Sequence, residues 1–570
     1  MKRLTIIVCL LLLVALLLAA CASQTAPDEA ASESEPAEVD APAGEEAAPD
    51  SEEVVPAEEE AAPAEEAPIV DEKDGGTLNL HTQGVIQFDY AQVADDASMW
   101  VVSNVYSMLF RNETDGIFPD LATSWEWEDD TTLVLNLREG MTWHDGNEVF
   151  AEGESREVVA DDVVYSIERG VEMEGSTLSA DFLATFDSAE AVDDHTVKIH
   201  LNAPSAMLLT PGRGLSGIAI VPQEAVEQLG EDFALNPIGS GPFEFVEYLP
   251  DELVRLQRNE DYYIRPHLDE VVWKVIPDED TALIAFENGE VDWLSTVPQA
   301  DIERLQEEDA YVLEPSGFEC APWMFFDMAV PLFQEEDFRK ALAHAFDAEA
   351  ISKNVDGATY VGGCGIAGRG VPGYDPDLCQ YFDYDPDMSK ELMADLGWED
   401  SDGDGIYDKD GEPMEFPLEI WNMAPMPSYS EAIATQLQQE GFPVDLQTVE
   451  FGTWIDDMFA GPQKAMMASG FCTDGGLNGV FGRDSATATA MSYVMPEVHD
   501  LLDQANVTLD PEERDQILRE AQDVMFSQYM AIPLRHRSSY DGTHSYVNDL
   551  NGIFWTANLV TDNNNVWLEE

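Results

Sequence analysis

Apolar and polar positions divide the chain into three stretches of different character. Behind Met1-Lys2-Arg3 an apolar stretch runs from Leu4 to Leu18 and closes on Ala19-Ala20-Cys21. It is too short and too close to the start to be read as a spanning helix. From Ala22 to Val70 the apolar pattern vanishes, leaving almost entirely Ala, Pro, Glu, Asp and Ser with sixteen acidic residues and no Lys or Arg. From about Asp71 onward two periodicities alternate. Gly76-Thr77-Leu78-Asn79-Leu80 predicts an opening strand, Thr131 to Leu137 a hairpin arm ending at Gly140, and Phe416 to Ile420 a further strand. Asp161 to Arg169, with acids in its first turn, predicts a helix, as do Phe338 to Ile351 and Pro511 to Met525. No internal repeat is present. Strands mixed with helices over this length predict α/β lobes around a cleft.

A charged start, an apolar run and small residues before a cysteine form a bacterial secretory signal with a lipobox. The resemblance to bacterial lipoproteins implies cleavage before Cys21, a thioether-linked diacylglycerol on its sulfur and an acylated amine. Two or three acyl chains anchor stably where one would be marginal. The expected location is therefore the cell envelope, exported and lipid-anchored on the extracytoplasmic face. The segment 21–70 buries too little apolar surface to offset the entropy of ordering, and its like charges and prolines extend it into a disordered tether.

The formal charge of −89, with 115 acidic against 26 basic residues, excludes nucleic acid as a partner, because phosphate binding needs a basic surface. Solubility, including at high salt where self-repulsion is screened, accounts for the acidity. Once Cys9 leaves with the signal and Cys21 takes lipid, Cys320, Cys364, Cys379 and Cys472 remain, which suits two disulfides in an exported body. Cys364 and Cys379 flank a Gly/Pro-rich loop and pair locally, leaving Cys320 with Cys472. No CxxC or clustered His accompanies them, so zinc is the weaker reading.

Asp400-Ser401-Asp402-Gly403-Asp404-Gly405-Ile406-Tyr407-Asp408 matches the first part of a calcium loop, with carboxylates Asp400, Asp402, Asp404 and Asp408 and a glycine where the chain turns sharply. Gly411 stands where the bidentate Glu belongs, with Asp410 and Glu412 beside it. Two readings stay open: a structural calcium, or an acidic turn holding no ion. No catalytic cofactor is expected. GxSxG, HExxH, GxxxxGK and a strand-linked GxGxxG are all missing from the sequence. Paired carboxylates abound because acids abound, so a secreted calcium-dependent hydrolase is a distant alternative and no enzyme is expected.

A series of landmarks then stands in order. Pro119-Asp120-Leu121-Ala122-Thr123-Ser124-Trp125 is followed by Leu137-Arg138-Glu139-Gly140-Met141-Thr142-Trp143-His144-Asp145-Gly146 and by Val159 to Ser166. Asn236 to Phe243, Arg258-Asn259-Glu260-Asp261-Tyr262-Tyr263, Gly289-Glu290-Val291-Asp292 and Phe338 to Leu342 complete it. With them the body resembles the substrate-binding proteins of peptide and nickel ABC importers, the group of dipeptide- and oligopeptide-binding proteins. The resemblance implies a bilobal periplasmic-binding-protein fold of type II, large peptide-binder class, with a hinge between lobes. The boundaries expected are lobe I at 71–318 with an extra subdomain at about 112–234, lobe II at 319–536, and a return to lobe I at 537–570. Within the landmarks, Trp125 and Trp143 read as scaffold, and Gly239 and Gly241 as a tight turn.

For the site, the resemblance points to Ser469-Gly470-Phe471-Cys472-Thr473-Asp474, where peptide binders carry the carboxylate that meets the peptide α-amine. Asp474 occupies that position, and such a charge-assisted bond is strong in an enclosed site. Some oligopeptide binders bridge a cysteine at the position of Cys472 to one at the start of the second lobe, where Cys320 sits. Gly475-Gly476 departs from the Tyr-Pro or similar pair common there. Trp323, Trp421 and Asn422 fall where the second lobe commonly faces ligand; they read equally as cleft wall or as core. The expected function is a lipid-anchored binding component that captures oligopeptides and delivers them to an ABC permease and its ATPase. An oligosaccharide is the alternative cargo.

Overall fold

The computed structural model describes residues 73–569 apart from 94, 114, 115, 174, 175, 177, 179, 211–213, 470–473, 484 and 551–555. The signal at 1–20, the tether at 21–70 and Cys21 lie outside the described residues. The body is α/β and bilobal, each lobe built on its own sheet and apolar core.

In the first lobe the strand Thr77–Thr82 places Leu78 and Leu80, both fully buried, on one face by the two-residue period of a strand. It pairs in parallel with Glu270–Val275 on one side and Trp293–Leu294 on the other. Leu253–Arg258 and Phe243–Leu249 extend the sheet as an antiparallel hairpin. Beyond Trp293–Leu294 the returning strand Arg537–His544 inserts antiparallel, and Tyr311–Cys320 forms the far edge. A separate antiparallel sheet of Ala122–Asp129, Thr132–Leu137, Thr196–Leu201 and Phe186–Asp193 supplies the extra layer. Leu133, Leu135, Val197 and Ile199 are fully buried on its inner face and join the same core as Leu78 and Leu80, so this layer is packed onto the lobe.

The second lobe has a five-stranded sheet ordered Val444–Val449, Phe416–Trp421, Ala465–Ala468, Trp323–Phe326 and Ala531–Pro533. Its core draws on residues from Trp323 to Leu534. The chain passes between lobes twice, side by side. Cys320 is paired with Arg537 in the first sheet and Trp323 with Pro533 in the second, and Leu534 N–H donates to the Pro322 carbonyl at 2.8 Å between them. These paired connections are the hinge.

Several landmark residues turn out to hold one another. Asp120, fully buried, accepts from Met108 N–H at 2.8 Å and Tyr262 O–H at 2.9 Å and pairs with Arg111 Nε at 3.1 Å. Asn259 donates to the Gly241 carbonyl at 2.9 Å, and His144 Nε2 lies 2.9 Å from the same oxygen. Trp143 is buried and Trp125 stands edge-on to Phe110 at 4.7 Å, as scaffold residues do.

Two expectations need correction. Gly239 and Gly241 are not needed for a tight turn; a Cβ on Gly239 would lie 1.9 Å from the Val105 carbonyl oxygen and one on Gly241 2.6 Å from that of Asn104, so close backbone approach requires these glycines. The helix expected over Phe338 to Ile351 is two, Glu336–His344 and Ala348–Asp356. The Asp347 carboxylate accepts from Ala350 N–H and starts a new helix, while buried Ala345 and Phe346 keep the apolar pattern continuous across the break. Cys364 and Cys379 are disulfide-bonded with Cα atoms 5.2 Å apart. Cys320 is disulfide-bonded as well, and Cys472 lies outside the described residues.

Candidate functional site

Strand direction locates the site. In the second lobe Phe416–Trp421, Val444–Val449 and Ala465–Ala468 run parallel, so their carboxyl ends lie along one edge. The antiparallel strand Trp323–Phe326 begins at that same edge, beside the hinge. Register pairs Trp323 with Ala468 and Trp421 with Val449, and the Leu418–Ala465 and Glu419–Met466 pairing carries Trp421 opposite Ala468. Four strands thus end or begin in one transverse row. In the first lobe Thr77–Thr82, Trp293–Leu294 and Tyr311–Cys320 run in one direction and end on the side where the chain leaves for the hinge. Carboxyl ends of parallel strands are where open α/β sheets bind ligands, and here both sheets turn such ends towards the connections.

A family model for bacterial extracellular solute-binding proteins, family 5 Middle, matches residues 116–476, well over half of the chain. The chain belongs to that family. The dipeptide-binding protein of Escherichia coli (strain K12) is 24% identical over 464 residues, covering 76% of this chain and 83% of its own. The oligopeptide-binding protein AppA of Bacillus subtilis is 27% identical over 391 residues, covering 65% and 68%. Among solved structures, the ABC transporter-associated periplasmic binding protein DppA from Helicobacter pylori, in complex with peptide STSA, aligns at a TM-score of 0.66 and 23% identity over 88% of this chain and 99% of that one. Family members are solute-binding proteins, not enzymes.

In this solute-binding protein the expected ligand residues reach the row by different routes. Trp323 and Trp421 lie in it, but below the surface. Trp323 is 1% exposed, packed on Phe325 and Phe481, and its indole N–H has no hydrogen-bond partner among the described residues. Trp421 is packed edge-on against Phe451 and Trp454. Asn422, one residue past the strand, is exposed. Phe471 and Cys472 lie outside the described residues; Asp474 is the first residue of the helix Asp474–Phe481, which follows the strand ending at Ala468. Sequence reasoning missed the apolar residues that do reach the surface beside the row, Met423 at 57% and Phe451 at 44% exposure. Each lies just past a strand end, which is the signal that could have found them.

The hinge flank carries charge that no local pattern announced. Asp356 ends the helix Ala348–Asp356 in the second lobe, 1% exposed. Its carboxylate accepts from the Tyr429 hydroxyl and pairs with Arg537 Nε at 3.3 Å, the first residue of the returning strand. Burial pushes Asp356 up to about 6, more than Tyr429 and Arg537 pull it down. Gln299 of the first lobe donates to the Val355 and Asp356 carbonyls at 3.0 and 2.6 Å. In the first lobe His81 bridges strand ends, Nδ1 to Ser295 Oγ and Nε2 to the Ile276 carbonyl, both at 2.9 Å; burial lowers its pKa.

The Asp-rich loop stands apart, on an exposed hairpin. Asp400, Asp402 and Asp404 each offer a carboxylate oxygen within 4.8 Å of the others. Asp408 is not among them. Its carboxylate accepts from Ser401 N–H at 2.8 Å and Ser401 O–H at 2.7 Å, so it closes the base of the loop instead of facing its centre. Three oxygens converging this way fit a hard cation such as calcium incompletely, short of its usual six to eight oxygen ligands.

Proposed function

We propose that this solute-binding protein captures oligopeptides between its lobes and delivers them to the permease and ATPase of an ABC importer. The observation that carries the reading is the single row of strand ends at the hinge-side edge of the second lobe, from which the chain leads directly to Asp474. A carboxylate there meets the α-ammonium of a peptide, and exposed Met423 and Phe451 offer side-chain contact that does not depend on sequence. The names of the dipeptide- and oligopeptide-binding relatives favour peptide over sugar. Acylated Cys21 and the acidic segment 21–70 hold the body beside the permease. Calcium at Asp400, Asp402 and Asp404 has a structural role in this reading.

Mass spectrometry of ligand released by denaturing the purified protein tests the cargo. Peptides with free amino termini support the reading; N-acetylated peptides then bind poorly, and Asp474→Ala weakens binding by about 2–5 kcal/mol. Recovery of neutral oligosaccharides, with binding indifferent to Asp474, refutes it. Retention of Cys21→Ser in the detergent phase to the extent of the parent refutes the lipid anchor.

A further inference from the structure

The two lobes meet at a second place, apart from the hinge. The turn Ala206–Leu209 belongs to the extra layer of the first lobe, and its Leu208 is part of that lobe's core. Met207, the preceding residue, is 3% exposed yet joins none of the apolar cores. Its thioether sulfur accepts a hydrogen bond at 3.2 Å from Arg514 Nη2, across 307 positions of sequence. Arg514 stands in the first turn of the helix Pro511–Ser527, whose Ile517 and Leu518 are second-lobe core, and Arg514 is 6% exposed. The neighbouring helix Pro496–Val507 packs on the same turn. The Met207–Arg514 bond therefore joins a first-lobe turn to the start of a second-lobe helix, with both partners buried.

We propose that Met207 and Arg514 form the closing contact of the protein, a latch between lobes that positions them for capture and slows release. The proposal rests on the reading of a solute held between the lobes. Its chemistry suits repeated opening. An arginine stem covers apolar surface, and a thioether is a weak acceptor. The latch biases the lobes towards contact and still lets them part.

Small-angle scattering of the ligand-free protein, with dissociation of a tetrapeptide carrying a free amino terminus and a C-terminal fluorescein, tests it. Met207→Leu, Arg514→Met and the double variant are compared with the parent, and Arg514→Lys serves as the variant that retains charge and a donor. Each single substitution should raise the radius of gyration and speed peptide release about fivefold to tenfold. The double should do no more than Arg514→Met alone, because the contact Met207 makes is already lost there. Arg514→Lys should recover most of the parental compactness. Unchanged radius and release in both singles, or additive effects in the double, overturn the latch. Failure of the parent to bind the tetrapeptide refutes the peptide cargo alone, since the scattering comparison still decides the latch.

Discussion

Asp120→Ala removes the carboxylate at the centre of the first lobe's most buried charge network. Arg111 and Asp120 are 1% and 0% exposed, so neither charge has solvent to fall back on. The substitution deletes the 3.1 Å ion pair with Arg111 Nε, the acceptor for Met108 N–H and the acceptor for Tyr262 O–H. Arg111 keeps its bonds to the Ser103 carbonyl and Tyr262, which satisfy donors without neutralising the charge. An uncompensated buried charge costs about 3–5 kcal/mol, and the stranded Met108 amide places the loss at the upper part of that range. Because two lobes need not unfold as one, hydrogen exchange of the amides from Leu78 to Phe110 is the suitable assay, reporting local opening of this core. Asp120→Ala should lower their protection by that amount. The double variant Arg111→Met with Asp120→Leu should recover part of it, since no uncompensated charge remains while the Met108 amide still lacks its acceptor. A loss below about 1 kcal/mol in the single variant, or a double variant worse than the single, would show that the network does not carry the stability assigned to it.

Asp356 makes stability fall with rising pH. Its folded-state pKa of about 6 exceeds that of the unfolded chain, so its contribution is complete below the ordinary carboxylate range and is lost as pH rises through about 6. The change amounts to about 2–3 kcal/mol, and Asp356→Asn should flatten urea-unfolding stability between about pH 4 and pH 6 without loss at neutral pH. Gly239→Ala drives a Cβ to 1.9 Å from the Val105 carbonyl, against backbone that cannot yield, and should cost more than about 3 kcal/mol; a normal thermal melt would contradict this account. Calcium should raise the melting temperature of the parent and leave Asp402→Ala unmoved, with ligand affinity unaffected in both. An equal shift in the variant would place the ion elsewhere.

Local pattern was enough for much of the frame. Alternation in Thr77–Thr82 and Thr132–Leu137 announced strands whose inner faces are the ones buried, and the acidic first turn at Asp161 and Asp162 marked the helix Ala160–Glu172. The ordered landmarks carry the family resemblance in the sequence itself. What those landmarks do was not legible: Asp120 and Tyr262 read as separate motif letters and Arg111 stood in no motif, and only folding makes them one network. The same holds for the row through Trp323, Ala468, Trp421 and Val449, for Asp356 beside Arg537, and for Met207 beneath Arg514. Periodicity tells which side of an element is apolar, because neighbouring residues share a helix or strand. It does not tell which other element covers that side. Sheet register and lobe contact are set by residues that lie on different elements and meet only when the chain folds, so they exist only in the tertiary structure.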